Sequence, residues 1–334
     1  MKNIENVTFT PVNQETEAEK WAELRTTGIG GSDAGAIMGL NKYASPLTVY
    51  FSKKGIDRDF NGNNATKWGH LLEDPIRQET ANELEVIIDT VGGMYTSNVH
   101  PFMNANLDGI MTIPEGKVVI LGGAEFSGVG GHEIKTSSNG DGFSDDEIPD
   151  SYYAQCQHYM AVTGFDWFVL TVFILSTRTL KHYPIRRNEE FIEELIKTEE
   201  DFWNNNVLAD VPPAPIGLDS EDEYIKNLPM SEVIELDEAT IEIIDEERKL
   251  DEQVKELTKR QKALKDEILM SLSRLSTGSV NAEKVLATGG NWKISYNTQT
   301  RKTVDSDSLK KAGLYDQYSK ESVSKVLRIS EVKA

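Results

Sequence analysis

The segment "GGHEIKTSS" (residues 130–138) places a glutamate and a lysine two residues apart in a short stretch with strand character. Residues i and i+2 of a strand share a face, so Glu133 and Lys135 would point together while Ile134 points into the core. Asp108, in "MNANLDGIM", ends another short strand before a glycine turn. If the two strands are neighbours, Asp108 and Glu133 converge beside the lysine.

Two converging carboxylates predict a site for a divalent cation. They repel each other, and one of them is neutral unless a cation joins them. Mg²⁺ suits such a pair because it takes few carboxylates, keeps several waters and accepts a phosphate oxygen. It promotes attack of water on phosphorus, and Lys135 would stabilise the developing negative charge. The carbonyl of Ile134 can complete the metal shell. Taken alone, a glutamate and a lysine two residues apart on a strand are usually an ion pair on a solvated surface, so the prediction depends on the neighbouring Asp108.

The elements around these residues predict an α/β fold with a central mixed sheet flanked by helices. Short segments of period two, separated by glycine and polar turns, predict strands between residues 85 and 137. Apolar spacing and capping signals predict helices over residues 45–55, 67–84, 150–164 and 189–208. The apolar run 166–175 predicts a strand buried on both faces, and Pro184 predicts that the next strand is an edge.

The proline-rich and acidic segment "PPAPIGLDSEDE" (212–223) predicts a domain boundary. We expect one large domain over residues 1–212, an acidic linker over 213–236, and a long helix with a small α/β unit over 237–334. The helix 237–275 carries an apolar stripe, which favours packing or self-association. The chain has a net charge of −20, which argues against indiscriminate binding to nucleic acid and requires any DNA-binding surface to be local.

Composition also limits the location and the cofactor chemistry. The 334 residues contain no apolar run long enough to span a bilayer, and the first residues lack the features of a secretory signal. With a single cysteine, Cys156, a disulfide within the chain is impossible, and we expect a cytoplasmic location. "GIGGSDAG" lacks the G-K-[ST] of a nucleotide-binding loop, so ATP use is not expected.

Several motifs together resemble one family of nucleases. The D…E-x-K arrangement resembles the PD-(D/E)XK nucleases. "LRTTGIGGSDAGAIMG" and "KWGHLLEDPIRQE" resemble the N-terminal signature of YqaJ-type phage recombination nucleases, relatives of lambda exonuclease. "SYYAQCQHYMAVTGFDWFVLTVF" is similar to the helix and strand that follow in that family. The resemblance extends over roughly residues 20–210 and implies a restriction-endonuclease-like core.

The resemblance implies roles for further residues. Asp108, Glu133 and the Ile134 carbonyl would be metal ligands, and Lys135 would be the catalytic lysine. Gln155 would position the attacking water or the scissile phosphate. Glu73 would be an additional acid near the metal, and Arg25 would contact the phosphate at a 5′ end.

The roles of two residues, Ser32 and Glu125, have alternatives. Ser32 can contact a DNA 5′ phosphate, or it can simply cap a helix that follows a glycine turn. The insert "EGKVVILGGAEFSGVGG" (115–131) is longer than a tight hairpin needs, so Glu125 competes with Glu133 for the acidic role, although it lacks a lysine two residues on.

The function implied is Mg²⁺-dependent 5′-to-3′ exonuclease action on linear double-stranded DNA ends, which leaves 3′ single strands for homologous recombination. Mn²⁺ is expected to substitute for Mg²⁺. The resemblance also implies a ring-shaped homo-oligomer such as a trimer, a single-strand annealing protein as partner, and a bacterial cell with a phage or prophage as setting. The alternatives are a structure-selective endonuclease with the same core, or a non-catalytic module that binds DNA ends or protein.

Overall fold

The computed structural model describes residues 4–14, 16–56, 64–226, 228, 234–276, 284–300, 303–320 and 327. The chain divides into two compact units, Met1–Leu228 and Pro229–Ala334. None of the helices among the described residues is both long and apolar enough to cross a membrane.

The two units contain the following elements. The strands are β1 (Val7–Pro11), β2 (Ile29–Gly30), β3 (Ile87–Asp89), β4 (Gly93–Ser97), β5 (Met103–Ala105), β6 (Gly109–Thr112), β7 (Val119–Leu121), β8 (Ala124–Phe126), β9 (Val129–Ser137), β10 (Trp167–Ile174), β11 (Thr179–Arg186), β12 (Lys284–Gly289) and β13 (Trp292–Asn297). The helices are α1 (Ala18–Thr26), α2 (Gly31–Ile37), α3 (Pro46–Lys53), α4 (Asn64–Glu83), α5 (Asp150–Thr163), α6 (Glu189–Phe202), α7 (Asp219–Lys226), α8 (Glu238–Leu275), α9 (Ser306–Lys311) and α10 (Tyr315–Tyr318), and a π-helical turn, Trp203–Leu208, continues α6.

The main sheet of the first unit is mixed and has the order β11-β10-β9-β6-β3. β9 and β10 are parallel, whereas the other neighbours are antiparallel. Helices cover both faces, because Thr80 of α4 contacts Thr171 on one face and Gln155 of α5 contacts Glu133 on the other. The expected α/β architecture is therefore confirmed, including a buried β10 and an edge strand β11 that contains Pro184.

A second sheet, of order β1-β4-β5-β2, lies beside α2 and α5. The two helices approach closely at Gly31, where a Cβ would stand 2.4 Å from the Tyr159 ring. α2 begins after Gly30, which is its N-cap, so Ser32 is not the cap that the sequence suggested. Asp33 has the capping role instead, since its Oδ2 accepts the Gly30 N–H at 2.9 Å.

The first unit ends later than the sequence indicated. α3 begins as expected, with Ser45 as N-cap and Pro46 at its first position. The Ser45 hydroxyl also donates to Glu221 Oε1 of α7 at 2.5 Å, and the Tyr224 ring stacks on Phe51 with 4.9 Å between centroids. Much of the segment interpreted as an acidic linker over 213–236 therefore packs on the first unit, which ends at Leu228 rather than at residue 212.

The second unit consists of the long helix α8, the hairpin β12–β13 and the short helices α9 and α10. Asp237 caps α8 by accepting the Thr240 N–H at 2.8 Å. Among the described residues of this unit, none is buried. The unit therefore has elements but no enclosed core in that part of the chain.

Candidate active site

The register of β6 and β9 brings the two predicted carboxylates together. Gly109 pairs with His132 in this antiparallel ladder. Asp108, one residue before Gly109, therefore lies opposite Glu133, one residue after His132. Asp108 Oδ2 accepts the backbone N–H of Ile134 at 2.7 Å. That bond holds the Asp108 side chain against β9, beside Glu133.

Glu133 lies at the centre of the site and is only 2% exposed. Its Oε1 accepts hydrogen bonds from Lys135 Nζ at 2.5 Å and from Gln155 Nε2 at 2.7 Å. Its Oε2 is buried and makes no hydrogen bond to any described residue. A buried carboxylate oxygen without a donor costs free energy, which indicates that a ligand belongs there.

The buried charges shift one another's pKa values. Burial and the nearby charge of Asp108 raise the pKa of Glu133 to about 8. Burial also raises the pKa of Asp108, against the opposing effects of Lys135 and the Ile134 N–H. Burial lowers the pKa of Lys135, but the charges of Glu133 and Asp108 outweigh it and hold that pKa above its usual value. Lys135 is therefore an ammonium ion throughout the physiological pH range.

The donors present fit a hard cation that keeps part of its water. Among the described residues, no group of three or more His, Cys, Asp or Glu side chains is arranged to hold a metal ion. Asp108, Glu133 and the Ile134 carbonyl would instead supply an oxygen set of the kind that Mg²⁺ uses, because this ion binds through one or two carboxylates and keeps several waters. The unpartnered Glu133 Oε2 is the observation that supports this fit.

Glu73 reaches the edge of this arrangement from α4. Its carboxylate is 36% exposed and lies 3.4 Å from His70 Nδ1. Burial and the charge of Asp108 raise the pKa of Glu73. Glu73 is therefore near enough to interact with Asp108 electrostatically without forming a closed three-carboxylate group.

The predicted site residues line one cavity of about 670 Å³. They are Arg25, Ser32, Glu73, Asp108, Glu133, Ile134, Lys135 and Gln155. Glu125 is not among the lining residues. It is exposed on the β7–β8 hairpin, where its backbone carbonyl accepts a hydrogen bond from Arg186. The structure thus brings the expected residues together and separates Glu125 from them.

One end of the cavity carries a cationic corner. The exposed Arg25 donates from Nη2 to Ser32 Oγ at 3.3 Å. Behind it, the buried Lys53 pairs with Asp33 at 2.6 Å and donates to the Arg25 carbonyl at 2.8 Å. Sequence reasoning missed Lys53, because the residue sits in an ordinary helix and its partner lies 20 positions earlier.

Three further side chains hold the catalytic candidates in place. The Tyr159 hydroxyl accepts from Gln155 Nε2 at 3.1 Å, and Lys135 Nζ lies 5.1 Å from the centre of the Tyr152 ring. Arg77 donates from Nε to the Asp108 carbonyl at 3.0 Å. Of these, only Tyr159 left a signal in the sequence, since it lies one helical turn after Gln155.

A family model matches the part of the chain that supplies most of this cavity's lining. Residues 20–166 are similar to the YqaJ-like viral recombinase domain. The uncharacterized protein YqaJ of Bacillus subtilis (strain 168) is 28% identical over 330 residues, which cover 96% of each chain.

Two solved exonucleases show weaker likeness. An alkaline exonuclease, LHK-Exo from Laribacter hongkongensis, is 19% identical with a TM-score of 0.41, over 58% of this chain and 94% of that one. A phage-related exonuclease from Haemophilus somnus 129PT is 14% identical with a TM-score of 0.38, over 57% and 99%. All eight site residues predicted from the sequence lie within residues 20–166, the part of the chain that matches this family model.

Proposed function

We propose that the chain is a metal-dependent deoxyribonuclease of phage-type recombination, a 5′-to-3′ exonuclease that acts on the ends of linear double-stranded DNA. The observation that carries the proposal is the pair Asp108 and Glu133 on adjacent strands, with Lys135 bonded to Glu133 in one cavity. The YqaJ-like domain, which contains all of these residues, supports a role in recombination.

The side chains around the carboxylates have separate tasks in this proposal. Asp108, Glu133 and the Ile134 carbonyl would hold Mg²⁺, with Glu73 at the edge. When bound, the ion supplies an acidified water and stabilisation for the leaving oxygen. The Lys135 ammonium stabilises negative charge that develops on the phosphate. Gln155, held between Glu133 and the Tyr159 hydroxyl, is placed to orient the water or the phosphate through its amide.

The preference for a DNA end is proposed from the cationic corner. Arg25 and Ser32 line the same cavity as the carboxylates, and the Arg25 guanidinium is partly exposed and able to bind an anion. A guanidinium binds a terminal phosphate through two parallel hydrogen bonds. Placed there, a 5′ phosphate would leave the next phosphodiester bonds within the cavity.

Digestion of end-labelled linear duplex tests the proposal. We expect hydrolysis with Mg²⁺, none with excess EDTA, and substitution of Mg²⁺ by Mn²⁺. Glu133→Gln and Lys135→Ala should each lower the rate at least ~10²-fold, because each removes a ligand or a charge used in the transition state. Glu125→Gln is the matched control and should retain the full rate. Equal digestion by all of these variants would contradict the site.

Substrate form separates an exonuclease from the endonuclease alternative. A covalently closed circle should survive, whereas the same DNA cut once should be degraded. A 5′ label should be released as mononucleotide before a 3′ label if digestion runs 5′ to 3′. Cleavage of the closed circle would refute the exonuclease assignment, but it would remain consistent with the proposed metal site. A single-strand annealing protein remains the proposed partner, since it would bind the 3′ strand that this digestion exposes.

A further inference from the structure

The long helix α8 carries an apolar seam that nothing among the described residues covers. One set of apolar residues recurs every seven positions. A second set has the same spacing of seven, except that the polar residue Gln261 occupies one of its positions. The two sets are Ile243, Leu250, Leu257 and Leu264, and Val254, Ile268 and Leu275. All seven side chains are exposed. Alternate spacings of four and three residues place them on one stripe, which is the pattern of a coiled coil.

Packing against the described residues encloses no side chain of α8. α8 has 38 residues and none of them is buried. Helix propensity alone gives marginal stability in water, and most helices in proteins are stabilised by packing of an apolar face. The seam extends from residue 243 to residue 275, about 50 Å at the rise of an α-helix. An exposed apolar surface of this extent marks an interaction site.

The charges of α8 identify the occupant. Residues 238–256 carry eight acidic and three basic side chains, whereas residues 257–275 carry five basic and two acidic ones. We infer that α8 pairs with α8 of a second copy of this chain, in antiparallel orientation. Only that orientation lays the acidic half of each helix on the basic half of the other; a parallel pair places like charges together.

The sequence also selects a register. An antiparallel pair centred on residue 259 gives apolar layers at three places: Ile243 with Leu275, Leu250 with Ile268, and Val254 with Leu264. Opposite charges then flank the seam at Glu246 with Arg274 and at Asp251 with Lys265. One pair opposes this register, because the two copies of Arg260 meet near the centre.

A parallel pair has the opposite electrostatic pattern. In that orientation Glu246 of one copy flanks Asp251 of the other, and Arg260 flanks Lys265. Both of these contacts are between like charges, and each occurs twice in a symmetric pair. Charge therefore favours the antiparallel arrangement at the ends of the seam and opposes the parallel one throughout.

Charge-reversal variants of the full chain distinguish the antiparallel pair from the parallel pair, because the same substitution weakens one association and strengthens the other. Glu246→Lys should weaken association roughly tenfold in Kd, since two attractive pairs become repulsive. Arg274→Glu should do the same, and the double variant should restore the parent Kd. Glu252→Lys, with the same charge change on the outer face, is the control. Sedimentation equilibrium measures the Kd values. Stronger association of the Glu246→Lys variant would refute the inference, because a parallel pair gains an attraction to Asp251.

Cysteine pairing tests the register. Full chains with Leu250→Cys and with Ile268→Cys should form a disulfide-linked dimer only when the two are mixed under oxidising conditions. A parallel pair would instead link each variant to itself, which would refute the inference. The parent chain is the control, since its single cysteine, Cys156, is buried.

Disruption of the seam completes the test. Leu257→Asp should separate the copies that α8 joins and so lower the number of chains in the assembly. It should leave thermal unfolding of the first unit unchanged, because Leu257 is exposed in the single chain. A parent chain that is monomeric at tens of micromolar, or an assembly whose number of chains Leu257→Asp does not lower, would overturn the pairing.

Discussion

At the residue scale, Glu133 is the side chain of the cavity whose burial costs the most free energy. Its carboxylate is fully enclosed, one oxygen has two donors, and the other has none among the described residues. Its pKa is raised to about 8, so near neutral pH without a cation it holds a proton. In the proposed function, a divalent ion would replace that proton and supply the missing partner of Oε2. Groups with such shifted pKa values cluster at functional sites.

A prediction for Lys135 follows from its contact with Tyr152. The ring faces the ammonium group at 5.1 Å and would keep it directed at the carboxylates. Tyr152→Phe should retain the rate of DNA digestion, whereas Tyr152→Leu should lower kcat by roughly 3- to 10-fold with KM unchanged. Tyr153→Leu, in contact with Phe191 at 5.1 Å rather than with Lys135, is the control. Equal loss in the Phe and Leu variants would contradict a role for the ring.

The buried pair of Asp33 and Lys53 predicts a pH dependence of stability. Burial raises the pKa of Asp33, but the charges of Lys53 and Arg25 outweigh it and leave the pKa below its usual value. A lowered folded-state pKa gives stability that is present above the unfolded pKa and is lost as pH falls through the folded pKa.

Asp33→Asn therefore should lower the free energy of unfolding by about 3–5 kcal/mol at pH 7, since it leaves Lys53 buried without a counter-ion. The difference between the variant and the parent should stay constant down to about pH 5 and shrink below about pH 4, where the Asp33 carboxylate of the unfolded chain binds a proton. The difference is lost when the pH falls through the lower pKa of Asp33 in the folded parent. Urea unfolding between pH 3 and pH 7 measures it. Asp145→Asn, in an exposed pair with Lys181, is the control. A difference that grows as pH falls would contradict the pairing.

At the element scale, the site depends on how closely α2 and α5 approach. Gly31 allows the contact, and Tyr159 on the other side of it supports Gln155 and through it Glu133. Gly31→Ala should destabilise the fold by about 1–3 kcal/mol, because a Cβ would overlap the Tyr159 ring. Gly30→Ala is the matched control, with its nearest atom at 3.6 Å. Equal unfolding free energies for the two variants would contradict the close approach.

The sequence predicted local structure well where the signal was local. The Ser45–Pro46 start of α3, the edge position of Pro184 and the shared face of Glu133 and Lys135 each follow from a few consecutive residues. The convergence of Asp108 with Glu133 needed only one correct strand pairing. The expected position of Asp108 was wrong, because it directly precedes β6 instead of ending a strand before a glycine turn.

Contacts between distant residues left no such signal. The hydrogen bond of Glu221 with Ser45 joins positions 176 residues apart, and the acidic segment around Glu221 therefore read as a solvated linker. The pair of Lys53 with Asp33 and the ring of Tyr152 beside Lys135 likewise depend on how elements pack, which spacing within one element does not encode.

At the scale of the whole molecule, the negative charge is unevenly divided. Residues 229–334 carry nineteen acidic and eighteen basic side chains, so nearly all of the net −20 belongs to residues 1–228. The same unit holds the cavity cations Arg25, Lys53, Arg77 and Lys135. In the proposed function, most of this unit would therefore repel DNA, and the place where these side chains meet would attract it, which would restrict non-specific binding.

The division into units predicts the outcome of truncation. A chain ending at Leu228 contains the whole cavity and should fold and digest linear DNA. A chain ending at residue 212 loses Glu221 and Tyr224, leaves the Ser45 hydroxyl and the Phe51 ring uncovered, and should unfold at lower temperature. Calorimetry on both fragments measures this. Equal melting temperatures would show that residues 213–228 are a linker after all.

The central claim is that Asp108 and Glu133 jointly hold a divalent ion. Crystals soaked in MnCl₂ test it directly through anomalous scattering. We predict a peak between the two carboxylates, with the Ile134 carbonyl among its neighbours, and no peak in crystals of Glu133→Gln soaked in the same way. Carboxylates that remain without an ion in the parent protein at millimolar Mn²⁺, or a peak that persists in the Glu133→Gln variant, would contradict the account.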